Sequence, residues 1–184
     1  MTDSAKHVAL QFEKEFLPEL TVWQSMPAVL KSKNPKISEY AVQALDITDY
    51  PLELTSALAA EHEEARVAAI EALRRWLPRQ PENAQRLRQE LGRLFPEESV
   101  ETILRLLWGY SPLDAQDPMI SVQLVTYLDH DEIAIRELAG RILEGLTGRT
   151  YEYRASLRGP QRQASINRWT EHVQSRGSLL PLEN

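Results

Sequence analysis

The stretch from Leu128 to Gly148 reads LDHDEIAIRELAGRILEGLTG, an acidic turn followed by one long amphipathic helix. Five of its positions recur upstream at the same spacing: Leu128, Ile135, Arg136, Ala139 and Leu143 align with Leu58, Ala65, Arg66, Ala69 and Leu73, and more loosely with Leu30, Ile37, Ser38, Ala41 and Leu45. In each copy the first and last positions are leucines fifteen residues apart. A small residue four positions before a leucine allows close helix packing in a stack of helical hairpins. The pattern predicts an architecture but not a function.

Length and composition indicate one globular domain. The 184 residues are 42% hydrophobic and 26% charged, the balance of a soluble protein with a real core. The absence of cysteine excludes disulfides, thiol catalysis and thiolate metal sites. A formal charge of −6 argues against a dedicated polyanion binder, although it leaves room for a local basic face.

The N-terminal sequence MTDSAKHVALQFEKEF has no apolar core suited to a signal peptide. No segment reaches the roughly 18 consecutive apolar residues of a membrane span. We therefore expect a soluble, unprocessed cytoplasmic protein with no membrane contact. A domain excised from a larger, exported protein would have the same features.

Proline marks the predicted helix starts. Asn34-Pro35 and Asp117-Pro118 each place a capping side chain before proline at the first helical position. Prolines so distributed would remove ladder hydrogen bonds from a sheet, so we expect almost no strand. Apolar periodicity predicts helices over residues 4–17, 51–59, 62–77, 82–94, 97–108, 118–128, 131–146 and 161–174. Their short connections predict antiparallel neighbours within a single domain over residues 1–176.

The C-terminal part departs from this pattern of helices joined by short connections. Residues 148–160 are predicted to form a long crossing segment, and residues 161–175 a closing helix. Ile166, Trp169 and Val173 lie at helical spacing on that helix, so Trp169 is expected to be buried against the end of the stack. The tail over residues 177–184 is short and contains glycine and proline, so we expect it to be poorly ordered.

The repeated residues resemble the turn-helix signature of HEAT-type helical repeats. That signature is a small or β-branched residue, Arg, two variable residues, Ala, three further residues and Leu. It is matched by Ala65-Arg66 to Leu73 and by Ile135-Arg136 to Leu143. The first copy departs, with Ser38 in place of the arginine. Residues 36–174 also resemble an uncharacterised bacterial HEAT-like domain. The resemblance implies a right-handed α-solenoid of antiparallel helical hairpins, and it implies no activity.

The repeat arginines have two interpretations. Acidic residues precede Arg66 and Arg136, so each arginine can bridge its turn to the neighbouring repeat. Alternatively, the arginines form a charged ridge for a partner. On that alternative, the candidate partner-binding residues are Arg66, Arg74, Arg136 and Arg141.

Catalytic and metal motifs are absent from the sequence. His62 and His130 lie between carboxylates, which suggests a metal. The HEAT-repeat deoxyhypusine hydroxylases bind iron through His-Glu pairs, but the matching positions here are Val67-Ala68 and Glu137-Leu138. No HExxH, GxSxG, GxxxxGK or GxGxxG pattern occurs. We therefore predict no metal, cofactor or catalytic residue, with an enzyme using scattered carboxylates as a remaining alternative.

A basic C-terminal stretch supports the main rival hypothesis, nucleic-acid binding. It has few acidic residues, namely Glu152 and Glu171, and its arginines and aromatic residues are Arg149, Tyr151, Tyr153, Arg154, Arg158, Arg162, Arg168, Trp169 and Arg176. Arginine and aromatic side chains grip a nucleic-acid backbone and stack on bases. HEAT-like alkylpurine DNA glycosylases use such a basic face. The acidic chain as a whole and the expected burial of Trp169 weigh against this role.

The leading interpretation is a non-enzymatic helical-repeat scaffold, a monomer or weak homodimer. We expect it to bind a protein or peptide partner through a face formed by the second helices of its hairpins.

Overall fold

The computed structural model describes residues 3–16, 19–48 and 51–181 of the chain, and within that part it contains helices and no strand. The ten α-helices are α1 Asp3–Lys14, α2 Val22–Val29, α3 Pro35–Ile47, α4 Leu54–Ala57, α5 Glu63–Trp76, α6 Asn83–Leu94, α7 Glu97–Trp108, α8 Pro118–Thr126, α9 Ile133–Thr147 and α10 Gly159–Arg176. The all-α class predicted from the sequence is confirmed. None of these helices is long and apolar enough to span a membrane.

Two of the predicted helix starts have the expected capping geometry. The Asn34 side chain accepts a hydrogen bond from the Lys36 amide at 3.0 Å, at the start of α3. The Asp117 carboxylate accepts from the Met119 amide at 2.7 Å, at the start of α8. In each case the next residue is proline, whose missing N–H would have had no helical partner there.

The chain divides into two compact units, Met1–Leu94 and Phe95–Asn184, called unit 1 and unit 2 below. In unit 1, α3 packs on α5, α4 packs on α5 and α6, and α1 packs on α3. In unit 2, α7 packs on α9, and α8 packs on α9 and α10. Each unit therefore buries its own apolar core.

The repeated positions lie in these cores. The leucine, isoleucine and alanine residues at the matched positions are buried, namely Leu30, Ile37, Ala41, Leu45, Leu58, Ala65, Ala69, Leu73, Leu128, Ile135, Ala139 and Leu143. The repeat register read from the sequence therefore identifies core positions in all three copies. Ala69 and Ala139 are completely buried, as their small size predicted.

The C-terminal part agrees with the sequence in one respect and differs in another. Residues 149–158 contain no helix, and α10 begins at Gly159, two residues before the predicted start. The expectation of a poorly ordered tail is corrected for residues 177–181, because Leu179 is completely buried. The Leu179 amide donates to Ser121 Oγ at 3.0 Å, and the Leu180 amide donates to the Ala115 carbonyl at 3.1 Å. Residues 182–184 lie outside the described residues.

Candidate functional site

The repeat arginines bind the turn that precedes their own helix. Arg66 donates from Nη1 to the carbonyl oxygens of Ala60 and Glu61, both at 2.8 Å. Backbone carbonyls in a turn have no helical donor, so a buried guanidinium is well suited to satisfy them. Arg66 therefore links the turn to the first part of α5.

Arg136 repeats this geometry in unit 2. Its Nη1 donates to the carbonyl oxygens of His130 at 2.6 Å and Asp131 at 2.7 Å. Its Nε also donates to the Ala155 carbonyl at 2.9 Å, in the connection that follows α9. Arg136 thus holds both its own turn and the next segment of the chain.

The first copy satisfies its turn by other means. The Ser38 hydroxyl donates to the Leu30 carbonyl. The Ser32 carbonyl lies six residues before Ser38, the same offset that separates Arg66 from Ala60. It is bound by His62 Nε2 at 2.9 Å, so a histidine from the second copy satisfies one of the two turn carbonyls that the arginine binds in the later copies. Since a carbonyl only accepts, Nε2 carries the hydrogen.

The four predicted partner-binding arginines differ in their surroundings. Arg66 is completely buried, so it has no surface for a partner in this conformation. Arg136 is partly buried by the contacts above. Arg74 is also partly buried, and loss of solvent lowers its pKa, against a smaller opposing effect of Glu71. The partner-binding role of Arg74, Arg136 and Arg141 stays a prediction.

Arg141 lies between two carboxylates of its own helix. Its Nε is 3.6 Å from Glu137 Oε1, and its Nη1 is 3.2 Å from Glu144 Oε2. The side chain of Glu137 is only 6% exposed. Arg141 therefore neutralises a buried carboxylate, and a partner would have to compete with both ion pairs.

Trp169 is 1% exposed, which confirms the burial predicted from its helical spacing. The Tyr151 ring meets it edge-on, with centroids 4.8 Å apart. Tyr151 Oη is 2.8 Å from His172 Nδ1, and His172 Nε2 is 3.0 Å from the Leu179 carbonyl. Because the carbonyl requires a donor, Nε2 carries the hydrogen, and in neutral His172 the Tyr151 hydroxyl donates to Nδ1. This packing leaves Trp169 no face for stacking on a base.

The basic residues around Trp169 lie at the surface of unit 2. Arg149, Arg154, Arg158, Arg168 and Arg176 are exposed. Arg168 pairs with Glu152 at 2.6 Å, and Arg162 pairs with Asp129 at 2.9 Å. The stretch is therefore basic, but two of its six arginines are engaged by carboxylates.

Unit 1 contains a cleft that sequence reasoning missed. Its volume is about 290 Å³, and its apolar lining consists of Met26, Pro27, Leu30, Leu45, Leu52 and Leu94. Leu94 is 51% exposed at the end of α6. The one available signal was Leu94 itself, an apolar residue directly after Arg93 at the last position of α6.

The polar lining of the cleft consists of Glu53, Thr55, Ser56, Glu90 and Arg93. Thr55 Oγ1 donates to the Leu52 carbonyl at 2.7 Å, and Ser56 Oγ donates to the Glu53 carbonyl at 2.9 Å. Arg93 Nη1 is 2.5 Å from Glu90 Oε1. The cleft thus combines an apolar lining with a polar set of two carboxylates, two hydroxyls and one guanidinium.

The histidines considered for metal binding have other contacts. His62 binds the Ser32 carbonyl, as described above. His130 Nδ1 accepts from the Glu132 amide at 3.0 Å. Among the described residues, no three histidine or carboxylate side chains are grouped as a metal site requires.

Comparisons with protein-family models, with curated proteins and with solved structures find no match to this chain. The likeness to HEAT-type repeats stays a prediction from the sequence.

Proposed function

We propose that the chain is a HEAT-type helical-repeat scaffold that binds a protein or peptide partner. Two observations support the repeat architecture, a right-handed solenoid of antiparallel hairpins. The first is the shared turn geometry of Arg66 and Arg136. The second is that alternate helices pack together within each unit, α3 on α5 and α4 on α6 in unit 1, and α7 on α9 and α8 on α10 in unit 2.

The cleft in unit 1 is the observation that carries the binding role. Sites for drug-sized ligands and cofactors occupy about 300 to 1,000 Å³. The cleft of about 290 Å³ is just below that range, a size that suits one or two aliphatic side chains of a partner. A partner that covers the exposed part of the apolar lining would remove hydrocarbon from water. This burial stabilises a complex by roughly 25 cal/mol per Å² of apolar surface.

The cleft also changes the expected location of the partner. The sequence favours a face formed by the second helices of the hairpins. The cleft is lined mainly by residues of α2, the segment of α4 and the end of α6, with Leu45 of α3 completely buried among them. Apart from Leu45, none of these lining residues lies on α3 or α5, which carry the repeat pattern and are the second helices of the proposed hairpins in unit 1.

A peptide selection tests this function. Random peptides displayed on phage would be selected on the full chain, and their affinities measured by fluorescence anisotropy with wild type, Leu94→Gln and Ile47→Gln. Ile47 is 83% exposed and does not line the cleft, so it is the matched control. We expect leucine-, isoleucine- or methionine-containing peptides that bind Leu94→Gln about fivefold more weakly. Failure to select any binder, or equal affinity for all three proteins, would contradict the proposal.

Nucleic-acid binding is the second candidate, supported by the exposed Arg149, Arg154, Arg158 and Arg176. Electrostatic contact with phosphates does not require Trp169. Its signature would be an electrophoretic shift of single-stranded DNA that weakens steeply as salt rises. If the wild-type protein shifts single-stranded DNA and the Arg154→Gln/Arg158→Gln double variant does not, nucleic-acid binding would become the leading function.

A further inference from the structure

We infer that the cleft of unit 1 takes an aliphatic peptide segment with a lysine or arginine beside its aliphatic anchor. This inference rests on the proposed function and specifies the class of partner for the same site. It follows from the charges and hydrogen-bonding groups of the cleft's polar lining.

Glu53 supplies the net charge of the cleft. It is exposed, and it has no ion-pair partner among the residues that the structure describes. The charge of Glu90 is neutralised by Arg93 at 2.5 Å. Among the described residues of the lining, the charged ones are Glu53, Glu90 and Arg93, and together they leave one negative charge, at Glu53, which favours a cation.

The hydroxyl groups of the cleft point to the same partner. Thr55 and Ser56 each donate their single hydroxyl hydrogen to a backbone carbonyl. Their oxygens can then only accept further hydrogen bonds. A lysine ammonium or an arginine guanidinium carries several donors and no acceptor, so it matches Glu53 and the exposed Ser56.

An anionic segment is disfavoured by the same groups. Among the described residues that line the cleft, Arg93 is the single cation, and it is already engaged with Glu90. A carboxylate would have to displace Glu90 from Arg93 while lying near Glu53. A neutral aliphatic segment would gain the apolar contact but would leave the Glu53 charge uncompensated.

Three capped hexapeptides test the inference: AALKLA, AALQLA and AALELA, each with the same fluorescein label. Anisotropy titrations with the full chain at low salt should rank AALKLA tightest, with AALQLA about threefold weaker and AALELA about tenfold weaker. The differences should shrink as salt rises, because the charge pair is exposed to solvent.

Two variants locate the charge effect. Glu53→Gln should bind AALKLA no more tightly than AALQLA and should bind AALQLA like wild type. Glu82→Gln makes the same change in net charge at an exposed position of unit 1 outside the cleft lining, and it should keep the wild-type ranking.

The outcomes separate the inference from the proposed function. Equal affinity for all three peptides, or a preference for AALELA, would overturn the inference while leaving peptide binding in place. A lysine preference that Glu53→Gln preserves would also overturn it. Binding of none of the three peptides would overturn the inference, and the proposed function would then stand or fall on the library selection.

Discussion

Arg66 and Arg136 occupy equivalent places in the two units. Each donates from Nη1 to the carbonyl oxygens six and five residues before it, at 2.8 and 2.8 Å for Arg66 and at 2.6 and 2.7 Å for Arg136. The same sequence pattern, seventy residues apart, thus produces the same contacts. The arginine of the repeat is a structural clamp on its own turn.

Replacing Arg66 should destabilise the fold. Arg66→Met keeps the aliphatic stem but leaves the Ala60 and Glu61 carbonyls without their donor. We expect a loss of about 2 to 4 kcal/mol in the free energy of unfolding, measured with urea.

Arg75→Met is the matched control for Arg66→Met. Arg75 lies on the same helix, 54% of its side chain is exposed, and it pairs with Asp46 at 2.7 Å. Surface ion pairs of this kind contribute about 0 to 1 kcal/mol. Equal losses in the two variants would show that the buried arginine does not clamp the turn.

Ala139→Leu should overpack the core of unit 2. Ala139 is completely buried at the repeat position where helices pack closely. We expect a loss of about 1 to 3 kcal/mol by urea unfolding. Ala164→Leu, at an exposed position of α10, should change stability by no more than about 0.5 kcal/mol. An unchanged midpoint and slope for Ala139→Leu would mean that the repeat register is wrong.

Much of the fold could be predicted because its signals are local. Proline with a preceding cap determined the starts of α3 and α8. Helical spacing of apolar residues predicted the burial of Trp169 and of the repeat leucines. These signals act within a few residues of one another, so they can be read without knowing the partners of each helix.

The cleft and the tail could not be predicted because both depend on distant contacts. The cleft combines residues from Met26 to Leu94, and no spacing rule relates those positions. The tail composition suggested disorder, but Leu179 binds Ser121, fifty-eight residues earlier. The sequence also does not determine whether Arg66 is buried. An arginine at that position can either belong to an exposed charged ridge or bind the turn from a buried position.

Trp169→Ala should cost about 3 to 5 kcal/mol of unfolding free energy, because its side chain is 1% exposed and packs on Tyr151 and His172. Trp108→Ala is the control in the same unit, and it should cost about 1 kcal/mol because Trp108 is 51% exposed. A soluble Trp169→Ala protein with an unshifted melting temperature would mean that Trp169 is free to stack, and would place nucleic-acid binding first.

Tyr153 should make the fold sensitive to high pH. Burial raises the pKa of its hydroxyl, and Arg136 and Arg162 offset part of that effect. The hydroxyl donates to the Leu128 carbonyl at 2.7 Å. Its contribution to stability is complete below the unfolded pKa of about 10 and is lost as pH rises toward the higher folded pKa.

Urea unfolding between pH 8 and 11 measures this effect. Tyr153→Phe should cost about 1 kcal/mol near neutral pH, and its stability should fall less steeply above pH 10 than that of wild type. If the free energy of unfolding falls equally steeply with pH in wild type and Tyr153→Phe, Tyr153 does not contribute to the alkaline loss of stability.

The most direct test of partner binding in the cleft is a nuclear magnetic resonance titration of ¹⁵N-labelled full chain with the AALKLA peptide. The account predicts that the largest amide shift changes lie in the segments 52–56 and 90–94, which contribute Leu52, Glu53, Thr55, Ser56, Glu90, Arg93 and Leu94 to the cleft lining. Leu94→Gln should weaken these changes, and Ile47→Gln should leave them as in wild type. Shift changes confined to residues 149–176, or spread evenly over the chain, would contradict the account.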